Sequence, residues 1–512
     1  MDPTRRLFLG ASAAGSALVT LPTWLACAKP AVIETAAATL PEDPFLSWFG
    51  IDQALIQRVM SELTARGADH ADLYFQHSRT SSLSLQDSIV SEARTSVEQG
   101  VGLRVVVGDQ VGYAYTEELT LEAMLGAART AAAIAQGAAV APPQQFSLTQ
   151  PGGYYALAVP WADVGVTQKL PLLEKTEALV KAGDPAISQV RIYLTDSEER
   201  VVVASLTGAI HLDHRPMTRL WVECTAEKDG ETQANSANIA ARAGFDFYTD
   251  DNLEMVAKQA VDRTMVLFEA KRPPAGELPV VLAAGASGIL LHEAIGHGME
   301  ADFNRKGVSI YAGKIGEAIG PDFCTIVDDG TVAGERGALN VDDEGYPTER
   351  TVLVEGGVLA SYLHDSISAK HYGVAPTGSG RRESFRHPPM PRMRCTSMED
   401  GPHTREEIIA SVDHGIIAET FTNGQVQIGA GDYTFYIKNG WLIEGGKVTA
   451  PIKDCNIIGN GPESLKNVTM AANDAVLDTG GWTCGKDGQR VPVSQGLPTV
   501  LVKKMTVGGE SA

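Results

Sequence analysis

Two imidazoles and the carboxylate of Glu293 stand together in Leu290-Leu291-His292-Glu293-Ala294-Ile295-Gly296-His297-Gly298-Met299-Glu300. Neutral imidazole is a zinc ligand, and a carboxylate beside such an ion can accept a proton from the water it polarises. The metallopeptidase helix signature sets its histidines at i and i+4, on one face. Here they stand at i and i+5. On a regular helix that is about 500° of rotation, so the second ring points roughly 140° away from the first. A π-type bulge or an early helix end realigns them, and Gly296 and Gly298 make such a break available. The string therefore predicts a metal site together with a local distortion. Two unrelated histidines on a core helix are the alternative.

The elements that must position these groups are legible nearby. The apolar run 278–284 reads as a buried strand, and Gly285-Ala286-Ser287 turns the chain, with Ser287 as N-cap. Ile289, Leu290, Leu291, Ala294 and Ile295 supply the apolar surface of a short helix. Far downstream, Cys484 lies in the glycine-rich Gly480-Gly481-Trp482-Thr483-Cys484-Gly485-Lys486, which could approach a metal closely. A buried structural thiol is the ordinary alternative for a lone cysteine. Arg381, Arg382, Arg386 and Arg392 form a basic cluster in an acidic chain. Such guanidinium groups could clamp a peptide carboxylate or backbone carbonyls, or pair with acids of the fold. His364 and His387 read as satisfied histidines, and Asp342-Asp343-Glu344 as a solvated turn ending at Gly345 rather than a hard-metal cluster.

At 512 residues the chain is too long for one ordinary domain, and 44% apolar content supports sizeable cores. A formal net charge of -21 disfavours nucleic acid as a partner. The six cysteines are widely spaced with no CxxC pair, which argues against a zinc ribbon, a thioredoxin site or a disulfide scaffold. After the leader, no apolar run is long enough to span a membrane.

Residues 1–30 read as a twin-arginine export segment, with Arg5-Arg6, an apolar stretch to Leu21 and Ala26-Cys27-Ala28 as a cleavage site. Cys27 also hints at a lipid anchor, so the expected location is periplasmic or extracytoplasmic. Residues 31–42 read as a linker, and 43–271 as an N-terminal domain with helices near 51–63, 119–135, 168–182 and 252–270. Its strands are expected at 72–77, 83–90, 190–194, 201–205 and 220–224, with a hairpin turning at Gly108-Asp109 and a Pro/Gly-rich connection over 141–153. Arg272-Pro273-Pro274 marks the boundary to a strand-rich domain, 275–512, with hairpins at 351–359 and 441–448. The fold class is α+β.

Several blocks taken in order resemble the TldD/PmbA family, and its TldD branch of metallopeptidases in particular. They are Ala71-Asp72-Leu73-Tyr74-Phe75, Gln99-Gly100-Val101-Gly102-Leu103-Arg104, the His292 to Glu300 motif and Gly380-Arg381-Arg382-Glu383-Ser384. Pro389-Met390-Pro391-Arg392-Met393, Gly459-Asn460-Gly461-Pro462 and Cys484-Gly485-Lys486-Asp487-Gly488-Gln489 complete the series. The resemblance implies one zinc ion per chain held by His292, His297 and Cys484, with Glu293 as general base. It leaves Cys455 to core packing. From the basic cluster, and not from the resemblance, Arg381 and Arg382 are the candidate substrate contacts. The resemblance further implies peptides or unfolded protein segments as substrate, and a homodimer or a heterodimer with a PmbA-type paralogue. An exported zinc metallopeptidase is the leading reading. A non-catalytic binding or scaffold subunit, as in the PmbA branch, is the competing one.

Overall fold

The computed structural model describes residues 43–509 apart from 136, 138–145, 150–151, 156 and 428. The export segment, the 31–42 linker, Cys27 and much of the 141–153 connection lie outside the described residues.

The N-terminal half is built on one seven-stranded sheet. Its order runs Gln110–Thr116, Ile89–Val107, His70–Gln86, Ile187–Ser205, Ala209–Lys228, with Glu231–Ala241 and Ser147–Thr149 both beside the last. Strand alternation assigns its two faces. Leu73, Phe75, Leu103, Val202 and Leu212 lie under helices Gln53–Leu63 and Leu121–Ile134. Leu83, Ile192, Leu220, Val222 and Ile239 lie under Val166–Gly183 and Asp250–Met265. The alternate positions, Asp72, Tyr74, Arg104, Val203, Asp213 and Arg215, are buried against the C-terminal half.

Two expected strand breaks are absent, and one expected strand is split. The 72–77 segment runs on through Leu83 and Leu85 as His70–Gln86; the chain turns at Asp87 and Ser88, both at positive φ, so Ile89 and Val90 of the expected 83–90 strand open the next one, Ile89–Val107. The 190–194 and 201–205 segments join as Ile187–Ser205. The polar run from Ser78 to Ser82 breaks the apolar alternation, yet it stays in strand because it is hydrogen-bonded to a neighbour on each side. The helices and the Gly108-Asp109 hairpin fall where the periodicity puts them.

The C-terminal half holds two further seven-stranded sheets. In one, Gly276–Leu282, His414–Gln427, Asp432–Glu444, Cys455–Asn460 and Val500–Gly508 pair in sequence and return to the first, closing a ring. The other joins Ile326–Asp329, Cys395–Met398 and Gln489–Leu497, with Trp482–Lys486 hairpinned onto the last. The largest core cluster takes side chains from both sheets, including Val280, Ile416, Ile457, Val493 and Leu497, and packs Ile289 to Ile295 among them. Five cysteines are described, all buried and free, with Cys455 in this core. Among the described residues no helix is long and apolar enough to cross a membrane.

The turn at Asp342-Asp343-Glu344 is not solvated. All three carboxylates are buried: Asp343 pairs with Arg215 at 2.6 Å and Glu344 with Arg104 at 2.6 Å. Asp342 accepts backbone N–H groups of Glu344, Tyr346 and Gly380. Gly345 does make the turn, at φ 89°. The acids read as surface groups because their arginine partners lie 128 and 240 residues away in the chain.

Candidate metal centre

Gly285, at φ 79°, turns the chain out of strand Gly276–Leu282. Ser287 does not cap the helix; its hydroxyl reaches the Ala418 carbonyl at 3.4 Å, and the capping position falls to Gly288. A single helical turn, Ile289–Leu291, leads into a π-helical turn, His292–Gly296, in which the His297 N–H donates to the His292 carbonyl. That i to i+5 bond is the distortion the histidine spacing requires. The two rings now face the same side, with centroids 5.0 Å apart. Close packing accounts for the glycines: a Cβ on Gly296 would meet Met393 Sδ at 2.1 Å, and one on Gly461 would meet the Ala294 carbonyl at 2.1 Å.

Cys484 arrives from the Trp482–Lys486 strand, whose partner strand fixes it opposite Val491. Donor atoms of His292, His297 and Cys484 lie within 4.8 Å of one another, all buried. Cys484 Sγ is 3.4 Å from His297 Nε2. Burial opposes ionisation of the thiol, but the His292 and His297 rings outweigh it and hold the Cys484 pKa well below its ordinary value. His292 Nδ1 is buried without a hydrogen-bond partner. Glu293 Oε2 lies 3.9 Å from His297 Nε2, and at 22% side-chain exposure it is the least buried of the group.

Behind the rings stands a support that the sequence reading missed. Glu300 accepts from His297 Nδ1 at 3.0 Å. Lys486 Nζ lies 3.1 Å from Glu300 and 2.7 Å from Asp302, and Arg392 is 3.9 Å from Glu300. Burial works against the Glu300 charge, yet Lys486 and His297 bring its pKa down to about 2. Glu300 follows His297 by three residues and Lys486 follows Cys484 by two, so helical and strand spacing offered the signals.

The arginine cluster divides. Arg382 pairs with Asp72 at 3.0 Å, its guanidinium stacked 4.4 Å from the Tyr74 ring centroid. Arg386 pairs with Glu98 and Glu117, each at 2.8 Å. Arg392 donates to the Cys484 carbonyl at 2.8 Å, and Arg381 to the Met393 and Pro492 carbonyls. His387 contacts the Ser384 hydroxyl through Nδ1 at 3.3 Å, whereas buried His364 Nδ1 has no partner.

With this geometry in view, the sequence comparisons are decisive. Three family descriptions match in order: PmbA/TldA metallopeptidase domain 1 over residues 71–135, the central domain over 159–268 and the C-terminal domain over 275–509. The chain belongs to the PmbA/TldA metallopeptidase family. It is 40% identical to the metalloprotease TldD homolog of Haemophilus influenzae over 455 residues, 87% of this chain and 94% of that one. A zinc metalloprotease TldD homolog from Saccharolobus solfataricus is 29% identical over 352 residues, 67% of this chain and 76% of that one. Among solved structures, one from Thermotoga maritima matches with a TM-score of 0.71 at 21% identity, over 89% of this chain and all of that one. TldE from Thermococcus kodakarensis matches with a TM-score of 0.68 at 19% identity, over 89% of this chain and 99% of that one. These two likenesses show the fold. The strands of the family's first and central domains share one continuous sheet here.

Proposed function

We propose that this chain is an exported zinc-dependent metallopeptidase that hydrolyses peptides or unfolded protein segments. The observation that carries the reading is the convergence of His292, His297 and Cys484 within 4.8 Å. The donor set fits zinc, since two imidazoles and a thiolate leave a fourth position open, the pattern of a catalytic site. The 3.4 Å sulfur–nitrogen separation is close to the roughly 3.5 Å expected for such ligands on a tetrahedral ion. When bound, zinc supplies Lewis acidity toward water and toward the scissile carbonyl.

The chain's own residues do the rest. Glu293 takes the proton that the attacking water releases and passes it to the leaving amine. Glu300 accepts the Nδ1–H of His297, which fixes the tautomer with the Nε2 lone pair free to bind. Lys486 keeps Glu300 ionised for that task. Arg381 and Arg382, beside the Cys484 hairpin, are the proposed substrate contacts.

The metalloprotease names of relatives support the activity, and the zinc metalloprotease name supports the ion. Assembly as a homodimer or with a PmbA-type paralogue is part of this proposal and rests on the family resemblance alone. Export of an already folded chain through the twin-arginine signal would shield the thiolate from oxidation, with lipid attachment at Cys27 as a further option. The test is Glu293→Gln, which should retain zinc and lose about 10²–10⁴-fold in cleavage of an unfolded peptide library. Undiminished cleavage would remove the proposed base.

A further inference from the structure

Between the N-terminal sheet and the hairpin that carries Cys484 lies a cavity of about 200 Å³, lined by six arginines and three carboxylates. Two of the arginines are already matched: Arg215 pairs with Asp213 and Asp343, and Arg382 with Asp72. Arg490 is exposed. Arg242, Arg336 and Arg381 are different. They are only 4%, 8% and 2% exposed, and among the described residues no carboxylate stands within ion-pair distance of any of them.

What they touch is neutral. Arg381 donates to the carbonyls of Met393 at 2.5 Å and Pro492 at 2.7 Å. Arg242 Nε donates to the Arg336 carbonyl at 3.1 Å, and its guanidinium lies 5.4 Å from the Tyr155 ring centroid. Arg336 reaches the Trp482 carbonyl at 3.3 Å and Thr483 Oγ1 at 3.5 Å, and its buried Nε has no partner.

At neutral pH a guanidinium keeps its proton even when buried. Burial, and then the neighbouring arginines, push Arg336 and Arg381 down to about 9, which leaves both charged at neutral pH. Half-buried Glu199 also lines the cavity and interacts with Arg215 and Arg242, and exposed Glu383, which accepts the Arg490 N–H, lies at its edge; two carboxylates stand against Arg242, Arg336, Arg381 and Arg490. An uncompensated buried charge is strongly unfavourable, and a planar donor fork is suited to an oxyanion.

We propose that this cavity is an oxyanion-binding site in which Arg336 and Arg381, with Arg242 behind them, hold a carboxylate or phosphate group. The carboxylate at a peptide's end and a free inorganic anion share this chemistry. The site shares Arg381 with the proposed substrate contacts and in that respect rests on the peptidase reading, but anion binding is measured without peptidase activity, so the two can fail separately.

The full chain is titrated with inorganic phosphate by calorimetry at low ionic strength, with thermal unfolding followed in parallel. Wild type should bind saturably and gain Tm, and Arg336→Gln and Arg381→Gln should bind at least tenfold more weakly. In anion-poor buffer Arg336→Gln should unfold at no lower temperature than wild type, because it removes an unbalanced charge. If it fails to fold, Arg336→Lys, which keeps the charge and loses the fork, should still bind phosphate more weakly. A short peptide with a free C-terminal carboxylate that competes with phosphate, while its amide does not, identifies the peptide end as the ligand. If neither competes, the ligand is a small free anion. Absence of saturable phosphate binding, equal binding by wild type and the Arg336 variants, or competition by acid and amide alike would each overturn the assignment.

Discussion

His297 is held from two sides, by Cys484 Sγ toward the proposed ion and by Glu300 behind it. A carboxylate behind a metal-binding imidazole sets the tautomer and raises ligand basicity. Glu300→Gln should therefore keep the fold and lower zinc affinity by about 10–100-fold, measured by competition with a chelator. Unchanged affinity would leave Glu300 as an ion-pair partner of Lys486 and nothing more. The two histidines were legible as chemistry because they are close in sequence. Cys484 was not, since a thiol 187 residues from His297 is tied to it only by tertiary structure. Family resemblance supplied what spacing could not. Glu300 was in plain sight, but a carboxylate on a motif helix has no role until the ring above it has an orientation.

At the level of elements, the π-turn was readable because five residues of regular helix misplace the second ring, so arithmetic alone demanded a distortion. Its packing was not readable. Gly461 lies 167 residues beyond Ala294 and touches its carbonyl. Gly461→Ala should cost about 1–3 kcal/mol through overpacking, seen as a lowered denaturant midpoint. A full-strength midpoint would mean that the turn yields easily. The short helix Ser366–Tyr372 offers a second test, because its N-cap, Asp365, accepts from Ser368 N. Burial, and then the Glu344 charge, push the Asp365 carboxyl up to about 6. The folded chain then binds this proton more tightly than the unfolded one. Stability from this group is thus full below about pH 4 and is lost as pH rises through about 6. Asp365→Asn keeps a capping side chain and removes the titration. Between pH 4 and 6 wild type should lose about 1–3 kcal/mol relative to the variant, read from paired unfolding curves. Parallel curves would refute the shift. The fused strands show the opposite failure, where polar composition hid an element that pairing on both edges sustains.

Across the whole molecule, the two halves meet through a buried ionic layer. Asp72 binds both Arg104 and Arg382, Arg104 also binds Glu344, and Arg215 bridges Asp213 and Asp343. Asp72, Arg104, Asp213 and Arg215 are strand-alternate positions, Asp343 and Glu344 sit in a turn, and Arg382 follows the two-residue strand Gly380–Arg381. Alternation told which positions share a face, but not that the polar face would be covered. Two units joined near Arg272-Pro273-Pro274 remain our proposal for the domain plan. Arg104→Met would leave Glu344 buried without its guanidinium and should cost about 3–5 kcal/mol in global unfolding. A loss below about 1 kcal/mol would mean that water reaches the layer and screens it.

The central claim is that His292, His297 and Cys484 share one zinc ion, and metal content tests it most directly. Full-length wild type and Cys484→Ser would be purified in parallel and dialysed against metal-free buffer, and zinc per chain measured by elemental analysis. The account predicts close to one zinc per chain in wild type and a large loss in the variant. Equal zinc in both, or none in wild type after loading and dialysis, would contradict it.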